Sequence, residues 1–133
     1  MATEAFFDTN VPLYVFSGDA RKAAKARELL KAGGVISVQV LNEFALVALR
    51  KYALTWDELY EALESVRAAF RIEPLTLHTH MRGIELARRY RLRIYDAMIL
   101  AAAELAGSDT VYSEDMQDGL QIGGLTICNP FKP

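Results

Sequence analysis

Apolar and polar positions follow two rhythms along this chain: short solid apolar runs, and longer stretches in which apolar residues recur every three or four positions. The short runs read as buried strands at Thr3 to Phe7, Val35 to Val38, Thr110 to Tyr112 and Leu125 to Cys128, with Arg71 to Leu75 as a brief edge strand. The longer rhythm predicts helices. Asn10 and Pro12 signal a short helical segment through Phe16, which Ser17 and Gly18 break before Asp19 caps a helix from Ala20 to about Lys31. Gly33 and Gly34 end it. Val40, Phe44, Val47 and Ala48 mark a helix from about Gln39 to Lys51, and Thr55 to Glu58 form a capping box before Trp56, Leu59, Tyr60, Leu63, Val66 and Phe70. Thr76 caps a further helix, about Leu77 to Tyr90. From Ile94 to Ala103 there is almost no polar residue, so that helix must be covered on most sides.

Strands alternating with helices imply a parallel sheet covered on both faces, because right-handed crossovers return each strand in the same direction. The C-terminal ends of the strands then gather on one edge, where ligands bind in open α/β sheets. At 133 residues, 52% hydrophobic and 24% charged, residues 1–133 are expected to form one ordinary globular domain without repeats or linkers. The apolar run Ala97 to Ala103 is far too short to cross a membrane, no basic start with an apolar core suggests a secretory signal, and Cys128 alone forms no internal disulfide. The expectation is a soluble cytoplasmic protein. A net charge of −2 and a pI near 5.7 exclude non-specific coating of nucleic acid, so any polyanion must be held locally.

Four acids change the picture. Asp8 ends the first strand, Asp115 follows the strand at Thr110 to Tyr112, Glu43 falls on or beside the apolar face of its helix, and Asp96 sits in the first turn of the buried helix. Singly, each has an ordinary explanation as a cap, a stripe margin, a dipole-stabilised charge or a surface turn. Together they can converge on one sheet edge, where crowded carboxylates raise one another's pKa unless a cation neutralises them. Oxygen donors unsupported by Cys or His suit Mg²⁺ or Mn²⁺, which activates water and stabilises charge on a phosphodiester. His78 and His80, two residues apart, do not share a helix face and read as surface residues. Arg21, Lys22, Lys25, Arg27 and Lys31 are more simply a solvated face than a phosphate stripe, while Arg82, Arg88, Arg89, Arg91 and Arg93 are candidates for RNA or phosphate contact.

Over essentially its whole length the chain resembles the PIN-domain ribonucleases, especially the compact VapC-type toxins of prokaryotic toxin–antitoxin pairs. Phe7-Asp8-Thr9-Asn10 resembles the opening acid motif, Asn42-Glu43-Phe44 the second, Tyr95-Asp96-Ala97 the third and Ser113-Glu114-Asp115 the fourth. In the last loop Asp118 is an alternative to Asp115. The resemblance implies a three-layer α/β/α sandwich around a parallel sheet of about five strands, and a Mg²⁺- or Mn²⁺-dependent endoribonuclease. It further implies homodimers and a cognate antitoxin. Asp8, Asp96 and Asp115 would then hold metal, Glu43 a second ion or the attacking water, with Asn10 and Ser113 in support. Two other readings remain open. An aspartyl phosphatase of the haloacid dehalogenase type would want a second Asp where Asn10 stands, and a catalytically inactive PIN-like module would bind RNA or protein without cutting.

Overall fold

The computed structural model describes residues 4–133, so Thr3, expected at the start of the first strand, lies outside the described residues. The first strand, β1, is Phe6–Phe7, both buried, and the chain then turns through the short helix α1 (Asn10–Leu13) and a 3₁₀ turn (Tyr14–Phe16) into α2 (Ala20–Ala32). Asp19 caps α2 as expected, accepting from Lys22 N. Strand β2 (Gly34–Ser37) leads directly into α3 (Val38–Arg50), one residue earlier than the sequence suggests, because the Ser37 side chain caps the helix on Val40 N. The Thr55 capping box opens α4 (Trp56–Ala69).

Phe70 is not the last apolar residue of α4 but the first of β3 (Phe70–Glu73), where it pairs with Gly34. Its helical phase is overridden by the offer of a strand partner and by ring contact with Phe7 at 5.0 Å between centroids. Thr76 caps α5 (Leu77–Tyr90) with a capping box, and α6 (Ile94–Leu105) buries every residue from Ala97 to Ala103. Gly83 of α5 lets the two helices close up, since a Cβ there would lie 2.5 Å from Met98 Sδ. Strand β4 (Thr110–Tyr112) precedes a loop and a terminal hairpin of β5 (Gln121–Ile122) and β6 (Leu125–Cys128).

The sheet therefore has six strands in the order β3-β2-β1-β4-β6-β5, and the helices cover it as an α/β sandwich. This is one strand more than expected. β1, β2, β3, β4 and β6 run parallel, while β5 returns antiparallel to β6 through Gly123 and Gly124, so the sheet is mixed rather than wholly parallel. β1 lies near the centre, with Phe6 opposite Val35 on one side and Val111 on the other. Gly34 (φ 154°) permits that closeness: a Cβ would stand 2.5 Å from Ala5 O and 2.7 Å from Phe7 Cε1. Among the described residues no helix is long and apolar enough to cross a membrane.

Candidate metal centre

Asp8 continues the central ladder for one more bond, its N–H donating to Tyr112 O at 2.9 Å, and then its carboxylate turns into the space beyond the strand ends. Only 5% of the residue is exposed. Oδ1 accepts from Thr9 N and Oδ2 from the Ser113 hydroxyl, both at 2.7 Å. Burial pushes the Asp8 pKa up from 3.8 to about 6; the bonds from Ser113 and Thr9 oppose that rise, and the negative charges of Asp96 and Glu43 add to it. Two of the other three acids singled out in the sequence, Asp96 and Glu43, thus act electrostatically on Asp8.

A cavity of about 520 Å³ lies at this edge, and Asp8, Asn10, Glu43, Asp96 and Asp115 all line it. Glu43, on the margin of α3, does not reach idly into water: Oε2 accepts from the Thr9 hydroxyl at 2.7 Å and Oε1 from Gln39 Nε2 at 3.2 Å. Asp96 in the first turn of α6 is not the cap of that helix, which has none from a side chain; it is paired instead with Arg93 Nε at 3.1 Å. Asp115 follows β4 and is exposed to the cavity, whereas Asp118 points elsewhere, accepting from Asn129 N at 2.7 Å and facing Lys132 Nζ at 3.3 Å. Of these two acids of the last loop, Asp115 lines the cavity and Asp118 does not. Lys51 and Arg93 are the cations on the cavity wall; Arg88, Arg89 and Arg91 are exposed and do not line it, and His78 and His80 are exposed on α5.

The residues present suit a hard divalent cation by the chemistry of their donors, all of them oxygen. Burial, and to a lesser degree the charges of Asp96 and Glu43, disfavours the ionised Asp8 carboxylate, a cost that a cation at this point would offset. Among the described residues no three His, Cys, Asp or Glu side chains form a ready-made coordination cluster, and Glu43 and Asp96 are each engaged by protein donors. The Asn10 side chain supplies one more polar group: Oδ1 accepts from Glu114 N at 3.4 Å, and Nδ2 is buried without a partner.

Thr9, Tyr14, Lys22 and Glu114 belong to the surroundings of this cavity and escape a reading of the sequence. Thr9 sits inside the first acid motif, yet its bond to Glu43 spans 34 residues. Lys22 leaves the basic face of α2 to meet Glu114 at 2.6 Å, and Arg21 bonds Phe131 O at 3.0 Å, so two of the five cations on that helix are structural.

The sequence profile of the family described as PIN domain matches residues 5–117. No curated protein matches the chain. Among solved structures, a toxin–antitoxin complex from Klebsiella pneumoniae is 26% identical, covering 95% of this chain and 97% of that one, with a TM-score of 0.72. VapC20 of Mycobacterium tuberculosis, described as a toxin that cleaves the sarcin-ricin loop, is 22% identical over 84% of this chain and 89% of its own, with a TM-score of 0.68. FitAcB of Neisseria gonorrhoeae is 23% identical over 96% of this chain and 98% of that one, also at a TM-score of 0.68.

Proposed function

The chain belongs to the PIN-domain family, and from that premise we propose that it is a metal-dependent endoribonuclease, the toxin of a type II toxin–antitoxin pair. The observation that carries the reading is one cavity at the C-terminal edge of the parallel strands lined by Asp8, Glu43, Asp96 and Asp115. A bare scaffold gains nothing from burying Asp8 among like charges. An Mg²⁺ or Mn²⁺ ion, when bound, supplies a more acidic water and a counter-charge for a phosphodiester. Asp8, Asp96 and Asp115 would hold it directly or through water, and Glu43 would hold a second ion or orient the attacking water.

The protein's own groups do the rest. Thr9 keeps one oxygen of Glu43 fixed and leaves the other to the weaker Gln39 bond, so the carboxylate has a defined direction. Ser113 aims Asp8 in the same manner, and Asn10 Nδ2 is a spare donor for an anionic oxygen. Lys51 and Arg93 on the wall offset part of the repulsion between the acids and a polyanion.

RNA is the proposed substrate, and an antitoxin protein and a second copy of the chain the proposed partners. The likeness to a toxin–antitoxin complex from Klebsiella pneumoniae supports the first partner. Exposed Leu77, Met81 and Ile84, at helical spacing along α5, support a protein interface. Residues 1–133 are proposed to act as one domain in the cytoplasm.

The test is incubation of a mixed tRNA, rRNA and mRNA pool with purified protein in Mg²⁺ or Mn²⁺, beside an EDTA control and Asp96→Asn. Discrete fragments that vanish in both controls are expected. Tight RNA binding by folded, metal-loaded protein without any cleavage would replace this reading with that of a binding module.

A further inference from the structure

The loop after β4 is pinned at every residue but the one that faces the cavity. Ser113 N donates to Cys128 O at 3.0 Å and its hydroxyl to Asp8, and the same hydroxyl accepts from Met116 N at 3.2 Å. Between them Glu114 reaches away from the cavity toward α2. Its Oε2 meets Lys22 Nζ at 2.6 Å, its Oε1 accepts from the Tyr14 hydroxyl, and its backbone N–H donates to Asn10 Oδ1. Lys22 is itself confined, lying 4.7 Å from the centroid of the Tyr14 ring and 5.9 Å from that of Phe131, while those two rings meet edge to face at 4.8 Å. The Lys22 and Glu114 side chains are 24% and 23% exposed, so this is not a solvated surface pair.

Two features make this network more than a brace. Asp115, the next residue, is the one of Ser113 to Met116 that lines the cavity, and its side chain makes no hydrogen bond among the described residues, so its direction is inherited from its pinned neighbours. Asn10 receives the other end: with Oδ1 occupied by Glu114 N, its Nδ2 is the atom left unpaired. We infer that Glu114, clamped by Lys22 and Tyr14, is a positioning residue that sets Asp115 and the Asn10 amide for the ion and the anionic substrate. The inference rests on the ribonuclease reading and extends it to Glu114 and Lys22, which do not line the cavity, and to Tyr14, which does.

The test compares wild type with Glu114→Ala, Lys22→Met and Lys22→Arg in two assays: free Mn²⁺ followed by electron paramagnetic resonance, and steady-state cleavage of a labelled RNA from the cleaved pool. Loss of a group that orients metal ligands typically costs about 10- to 100-fold in metal affinity or activity. Glu114→Ala and Lys22→Met are therefore expected to raise the half-saturating Mn²⁺ concentration about tenfold and to lower kcat similarly, with KM for RNA within about twofold. Lys22→Arg, which keeps the charge, is expected to recover most of both. A merely structural brace would lower thermal stability without this split between kcat and KM or the recovery by Arg. Should Glu114→Ala fail to fold, Lys22→Met carries the test. Wild-type Mn²⁺ affinity and kcat in a folded Glu114→Ala or Lys22→Met protein would overturn the inference alone. Wild-type protein that neither takes up Mn²⁺ nor cleaves RNA would overturn the ribonuclease reading, and this inference with it.

Discussion

Asp8→Asn separates two demands made on the same carboxylate, stability of the metal-free fold and service to a cation. Burial first, then the charges of Asp96 and Glu43, lift its pKa from 3.8 to about 6 against the opposing bonds from Ser113 and Thr9. A gap of that size corresponds to about 3 kcal/mol between the protonated and ionised states, at 1.36 kcal/mol for each pH unit. The sign follows from the direction: the fold favours the protonated acid, so its contribution is full below about pH 4, is lost as pH rises to about 6, and stays lost above. Asn fills the same space without a charge and keeps an acceptor for Thr9 N. Allowing about 1 kcal/mol for a poorer bond with Ser113, the variant should be about 2 kcal/mol more stable than wild type near neutral pH in EDTA. Near pH 4 the advantage should disappear. Urea unfolding is best followed by far-ultraviolet circular dichroism, because Trp56 is 64% exposed and its fluorescence would report the transition poorly. Saturating Mg²⁺ or Mn²⁺ should invert the order, since a ligand at about 100 times its Kd adds about 2.7 kcal/mol to wild type alone. An Asn variant less stable than wild type at neutral pH in EDTA, or one that gains as much from the metal, would refute this account of the site.

Ser113→Ala removes a fully buried hydroxyl that donates to Asp8 and accepts from Met116 N; a loss of about 1–3 kcal/mol in urea is expected. Because the Ser113 bond lowers the Asp8 pKa, its removal should also move the acid limb of the cleavage profile to higher pH; an unmoved or lowered limb would contradict that role. Asp115→Ala should abolish cleavage while Asp118→Ala, which loses only contacts to Asn129 and Lys132, should retain it; parallel rate measurements giving the reverse order would exchange their roles. Gly34→Ala should cost at least about 3 kcal/mol, since its Cβ would strike the Ala5 carbonyl and the Phe7 ring at a φ of 154°. A melting temperature close to wild type would show that β1 and β2 can part more easily than their packing suggests.

The elements legible in the sequence were those whose signal is local. Thr55 and Thr76 announce their helices because a capping box closes within four residues, and Ala97 to Ala103 announces a buried helix because no polar face interrupts it. Phe70 misleads for the opposite reason: it stands in helical phase with Val66, but the backbone of Gly34 offers it a strand partner 36 positions away. Gln121–Ile122 is too short to show any period and becomes a strand only because β6 lies beside it.

The same division runs through the candidate site. That acids gather at one edge follows from strand order and chain direction, which alternating elements reveal. How a single loop distributes its acids does not follow from either. Glu114, Asp115 and Asp118 fall within five residues and offer the sequence reader the same charge in the same turn, yet one faces Lys22, one faces the cavity and one caps the chain at Asn129. The partners that decide between these fates come from α2, 92 residues earlier, and from the segment after β6. Spacing can therefore find the group of acids, but only the packing of distant elements tells an acid that would bind from one that positions its neighbour.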